Sequence, residues 1–121
     1  MKIFLDDVRD APDDSWVVVR SYNDFMALVT GTNEPITEIS FDHDLGMCDG
    51  TDDVAETGMH AAKQFVSYAQ DNEYEYFGDV LKKVIVHSSN PPGAANIAGY
   101  FGSAKKHGIF GDHLEIIVQP R

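Results

Sequence analysis

Lys2-Ile3-Phe4-Leu5-Asp6-Asp7 is the stretch that sets the fold class. Apolar residues in an unbroken run, cut off by two acids, read as a buried strand with a polar carboxyl end. The same shape recurs downstream. Ile36 to Phe41 is an apolar strand that ends in Asp42-His43-Asp44. Val84-Ile85-Val86 runs into His87-Ser88-Ser89-Asn90. Trp16-Val17-Val18-Val19, rich in β-branched residues, ends at Arg20, and Leu114 to Val118 makes a fifth strand.

Helical spacing lies between these strands. Tyr22 to Val29 places apolar residues at 22, 25, 26, 28 and 29, with Ser21 or Asn23 as cap. Thr57-Gly58 opens a second helix with Met59, Ala62, Phe65, Val66 and Ala69 on one face. Ala94 to Lys106 is a third, with a stripe of Ile97, Ala98, Phe101 and Ala104. Lys105 and Lys106 suit its negative end, and His107-Gly108 closes it. Residues 8–15 support only a turn. Residues 45–56 form a loop rich in glycine and acid, longer than the usual connection of about 2–6 residues. Strands alternating with helices predict a parallel sheet covered on both faces, and 121 residues suit one domain, 1–121.

Composition narrows the function classes. The net charge is −11, and 14 of the 20 acids but only 3 of the 9 bases lie in residues 1–56. Such a surface repels a phosphate backbone, which argues against non-specific binding of long nucleic acid. The single cysteine, Cys48, leaves no internal disulfide and suits a reducing, cytoplasmic compartment. No apolar run approaches the ~20 residues of a membrane span.

In open α/β sheets, ligands bind beyond the carboxyl ends of the strands. Asp6, Asp7 and Asp42 would meet there as an oxygen set for Mg²⁺ or Mn²⁺. Strand-end and capping roles are the plain alternative for these acids. Ser88 and Asn90 could hydrogen-bond phosphate oxygens just ahead of a helix N-terminus, or merely cap it. His43 and His87 stand beside the acids as a general acid and base pair, or as buried strand histidines. Arg9 and Arg20 could each clamp a phosphate, or neutralise neighbouring aspartates.

Leu5-Asp6-Asp7 with Phe41-Asp42-His43-Asp44-Leu45-Gly46 and a strand-four serine resembles the response-regulator receiver layout. Gln119 stands where that layout carries a lysine. A closer resemblance spans most of the chain. Leu5-Asp6-Asp7-Val8-Arg9-Asp10-Ala11-Pro12, Trp16-Val17-Val18-Val19-Arg20, Ser40-Phe41-Asp42-His43-Asp44-Leu45-Gly46, Thr57-Gly58 and Val86-His87-Ser88-Ser89-Asn90-Pro91, with Gly93 and Asn96, are similar to the cyclic-phosphate-processing receiver-like family of bacteria and phages. The resemblance implies a flavodoxin-like, doubly wound α/β sheet of five parallel strands in the order 2-1-3-4-5. It also implies a site of Asp6, Asp7, Arg9, Arg20, Asp42, His43, Asp44, His87, Ser88, Asn90 and Asn96.

The expected activity is a metal-dependent phosphoesterase (hydrolase) that opens a cyclic phosphate on an RNA end or a small nucleotide. Its catalytic groups are His43, His87 and Asp44; the phosphate is held by Arg9, Arg20, Ser88, Asn90 and Asn96; Mg²⁺ or Mn²⁺ sits on Asp6, Asp7 and Asp42. The alternative is a non-catalytic module that sequesters a nucleotide or docks a protein. A phosphoacceptor receiver at Asp42 ranks last, because of Gln119 and the polar His43.

Overall fold

The computed structural model describes residues 1–42, 58–71, 80–88, 91–111 and 113–120. The apolar runs become five strands: β1 (Lys2–Leu5), β2 (Trp16–Val19), β3 (Glu38–Phe41), β4 (Lys83–Ser88) and β5 (Glu115–Pro120). Among the described residues the helices are α1 (Tyr22–Gly31), α2 (Gly58–Asp71) and α3 (Pro91–Lys106). All strands pair in parallel, in the order β2-β1-β3-β4-β5 expected of a flavodoxin-like sheet.

That order dictates where the helices go. The steps β2 to β3, β3 to β4 and β4 to β5 all cross the sheet in one direction. Right-handed crossovers therefore put α1, α2 and α3 on the same face, where α2 packs against both α1 and α3. Only the step from β1 to β2 runs the other way, and residues 6–15 make it with turns and no helix. Among the described residues, helical cover thus lies on one face, whereas the alternation of elements predicts cover on both.

Strand alternation sorts the side chains accordingly. Ile3, Leu5, Val19, Ile39, Phe41, Val84 and Val86 join Phe25, Phe65, Phe101 and Phe110 in one core. Its rings interlock at short range: Phe25 to Phe41 at 5.5 Å, Phe41 to Phe101 at 5.4 Å, and Phe101 to Phe110 at 5.8 Å between centroids. Such tilted pairs add about 0.5–1.5 kcal/mol each to the burial itself.

The opposite parity forms three rows across the sheet. At the amino ends, Trp16, Lys2, Glu38, Lys83 and Glu115 are register partners in sequence. The Lys2 ammonium lies 4.6 Å from the Trp16 ring centroid, and ion pairs of 3.7, 3.7 and 3.9 Å link Lys2 to Glu38, Glu38 to Lys83 and Lys83 to Glu115. The middle row is Val18, Phe4, Ser40, Ile85 and Ile117. One step further on, at the carboxyl ends, lie Arg20, Asp6, Asp42, His87 and Gln119.

Local chemistry sets the element ends. The Ser21 hydroxyl caps α1 by accepting from the Asp24 amide at 3.1 Å. The third helix starts at Pro91 rather than Ala94, because prolines in a first turn give up amides that have no partner there. It closes at Gly108, whose φ of 81° lets the Gly108 and Ile109 amides return to the carbonyls of Lys105 and Ala104. The Lys105 ammonium then donates to the Leu114 carbonyl at 2.8 Å, tying α3 to the start of β5. Strands β4 and β5 run further than their apolar cores, to Ser88 and Pro120. The third strand is shorter than the apolar run: it starts at Glu38, and Ile36 is buried ahead of it. No helix among the described residues is long and apolar enough to cross a membrane.

Candidate metal and phosphate site

Two backbone bonds carry the sheet register past the strand ends. The Asp6 amide donates to the Val19 carbonyl at 3.1 Å, and the Asp42 amide to the Leu5 carbonyl at 2.9 Å. Asp6 and Asp42 therefore hold fixed backbone positions on either side of the point where strand order reverses, between β1 and β3. Both side chains are buried, and Asp7 is half-buried beside them. One oxygen atom from each of Asp6, Asp7 and Asp42 lies within 4.8 Å of the others. Buried carboxylates crowded this closely repel one another unless a cation or donors offset the charge. Their hard oxygen donors and spacing fit a divalent ion such as Mg²⁺ or Mn²⁺.

Asp6 is the best-defined member. Its Oδ1 accepts from the Val8 and Arg9 amides at 2.9 and 2.8 Å, an Asx-type turn that folds the chain back after β1. Its Oδ2 accepts from His87 Nε2 at 3.0 Å and faces Arg9 Nη1 at 3.5 Å. Burial pushes the Asp6 carboxyl up, but the two amides and the bond and charge of His87 outweigh it, so the group titrates below the usual aspartate value.

His87 is fully buried, and both of its ring nitrogens are engaged. Nε2 meets Asp6, Nδ1 meets the Ser40 hydroxyl at 2.5 Å, and the Phe4 ring stacks on the imidazole at 4.3 Å with 8° between planes. Of the two readings the sequence left open for this imidazole, the structure shows the buried strand histidine, enclosed by Phe4 of β1 and Ser40 of β3. Ser40 was not legible as a site residue, although one signal was present. A hydroxyl between Ile39 and Phe41 in a buried strand needs a partner.

The two arginines brace the loop after β1. Arg20 Nη1 donates to the Asp6 and Arg9 carbonyls at 3.3 and 2.5 Å, and its Nη2 lies 3.6 Å from the Asp10 carboxylate. Both guanidinium groups sit beside the acids, as the sequence suggests, and both are already paired within the chain. Ser88 is buried, and alternation turns it to the helical side of the sheet, three residues before α3. Asn96 is exposed in the second turn of α3. His43, Asp44, Asn90 and the 45–56 loop lie outside the described residues. Gln119, at the lysine position of receivers, is exposed at the end of β5, in register with His87.

A family model described as a cyclic-phosphate processing receiver domain matches residues 1–103. No curated protein and no solved structure matches the chain.

Proposed function

The chain belongs to the cyclic-phosphate processing receiver domain family, and on that premise we propose that it is a metal-dependent phosphoesterase. It would open a cyclic phosphate at an RNA end or on a small nucleotide. The observation that carries the reading is the set of three carboxylates, two of them buried, within 4.8 Å at the switch point of the sheet.

Ring opening adds water across one ester bond. The attacking oxygen forms a bond to phosphorus, one ring P–O bond breaks, and the leaving oxygen takes a proton, giving a phosphomonoester. A divalent ion held by Asp6, Asp7 and Asp42 would polarise a phosphoryl oxygen and offset the charge that grows on it. The chain's own residues do the rest. His43 and Asp44 follow Asp42 directly and would move the proton at the attacking or leaving oxygen. His87 has no open nitrogen, so it acts through Asp6 by fixing that carboxylate. Arg9 and Arg20 hold the loop that carries Asp6 and Asp7, and Arg9 would exchange its 3.5 Å contact with Asp6 for a phosphate oxygen. Ser88 at the end of β4 and Asn96 in α3 would supply neutral donors, together with Asn90.

One observation favours the second reading, a module that binds a nucleotide without turnover. Both arginines and both His87 nitrogens are already occupied, as in a static scaffold. Turnover of a panel of cyclic nucleotides and RNA ends, with Mn²⁺ and then with chelator, separates the two. Metal-dependent release of a phosphomonoester is the expected result. A nucleotide that raises the melting temperature yet is recovered intact would replace the enzyme with the binding module.

A further inference from the structure

A carboxylate has about four acceptor positions, two on each oxygen. On Asp6, the Val8 and Arg9 amides take both positions of Oδ1. His87 Nε2 takes one position of Oδ2 at 3.0 Å, and Arg9 Nη1 pairs with the other only at 3.5 Å, a long contact that a cation can displace. The acceptor direction left for a cation is therefore on Oδ2, the same atom that His87 holds. Where that direction points depends on where the imidazole sits.

The imidazole is aimed from its far side. Nε2 lies 3.0 Å from a carboxylate oxygen, which accepts, so Nε2 is the ring nitrogen that donates. Nδ1 then meets the Ser40 hydroxyl, whose side chain is 3% exposed. A hydroxyl suits this place because it can give or take a hydrogen bond by rotation, so the contact survives whichever form Nδ1 has. Phe4 stacks flat on the ring and confines it to a plane, and the contacts at the two nitrogens set its direction within that plane. Without the Ser40 hydroxyl, the buried Nδ1 would lose this hydrogen bond and with it the contact that aims the ring from its far side.

We propose that Ser40 is a positioning residue, whose hydroxyl holds His87 so that Nε2 fixes Asp6 Oδ2 in the orientation that receives the cation. The chain of contact runs from β3 through β4 to β1, and it rests on the metal reading above. Partners that orient a ligand side chain typically change metal affinity by about 10–100-fold when removed.

The test compares the wild-type chain with Ser40→Ala and Ser40→Thr, each first shown to melt cooperatively. In chelator, the His87 Nε2–H proton is observed by NMR on ¹⁵N-labelled protein; it is visible only while held in a protected hydrogen bond. Mn²⁺ affinity is then read by electron paramagnetic resonance. Ser40→Ala is expected to lose the Nε2–H signal to solvent exchange and to bind Mn²⁺ about tenfold more weakly. Ser40→Thr, which keeps a hydroxyl on the same carbon, is expected to retain both properties. A Ser40→Ala chain with the wild-type Nε2–H signal overturns the proposal, and so does a folded Ser40→Thr chain that behaves like Ser40→Ala. A wild-type chain that takes up no Mn²⁺ overturns the metal reading and the cation clause with it, while the Nε2–H signal still decides whether Ser40 positions His87.

Discussion

Asp6 carries structure and chemistry in one side chain. Its two oxygens close the turn after β1 and anchor His87, so its charge is worth most while the fold is intact. The carboxyl titrates lower in the folded chain than in the unfolded one. Stability from this group is therefore full above the unfolded value of about 3.9 and is lost as pH falls through the lower folded value. Asp6→Asn in chelator is expected to lose about 2 kcal/mol at neutral pH, the scale of a hydrogen bond to a charged group. The gap to wild type should narrow only below about pH 4. Urea melts at several pH values check this, and a gap that is constant down to pH 3 would show that the charge of Asp6 is not what holds the turn. At this scale the sequence was informative about identity and blind to contact. Asp6, Asp42 and His87 stood out as polar residues ending apolar runs. Nothing in the chain's linear order tells that His87 faces Asp6 across 81 residues rather than opening to solvent.

Elements were legible where the pattern was strong and shifted where local chemistry overrode it. The helix from Tyr22 follows its apolar spacing and its serine cap. The start of α3 lies three residues ahead of the expected Ala94, because Pro91 and Pro92 make its first turn. Its end was legible in Gly108, where a positive φ is required. A Cβ at Gly108 would meet nothing within 4 Å, so the cost of a side chain there is one of backbone alone. Gly108→Ala is expected to lower stability by about 1 kcal/mol without changing the denaturant slope. A loss near zero in urea unfolding would mean that the α3 terminus relaxes freely and does not set the approach to β5.

At the scale of the whole molecule, the described helices pack on one sheet face and the other carries rows of register partners. The amino-end row places Glu38 between Lys2 and Lys83, with Glu115 beyond. Exposed pairs are worth little singly, but like charges directly opposite one another cost stability. Glu38→Lys puts three ammonium groups side by side and is expected to cost about 1 kcal/mol, most of it recovered in about 1 M NaCl, where charges are screened within roughly 3 Å. Thermal melts at low and high salt test this. A salt-independent loss would point to packing at Glu38 rather than to the charge row. The same parity that builds this row at one end places Arg20, Asp6, Asp42, His87 and Gln119 at the other, so a slip of one residue in any strand would dismantle both.

The sequence alone determined the strand-and-helix alternation, the acids at the strand ends and the family, because these follow from local hydrophobic period and from short strings of residues. Tertiary structure decided the rest. The direction of each crossover gathered the three described helices on one face. Register made neighbours of residues far apart in the chain. Burial made His87, which the sequence left open between a general acid or base and a buried strand histidine, a buried link between Ser40 and Asp6. Each of these depends on how strands lie beside one another, and no window along the chain contains that information.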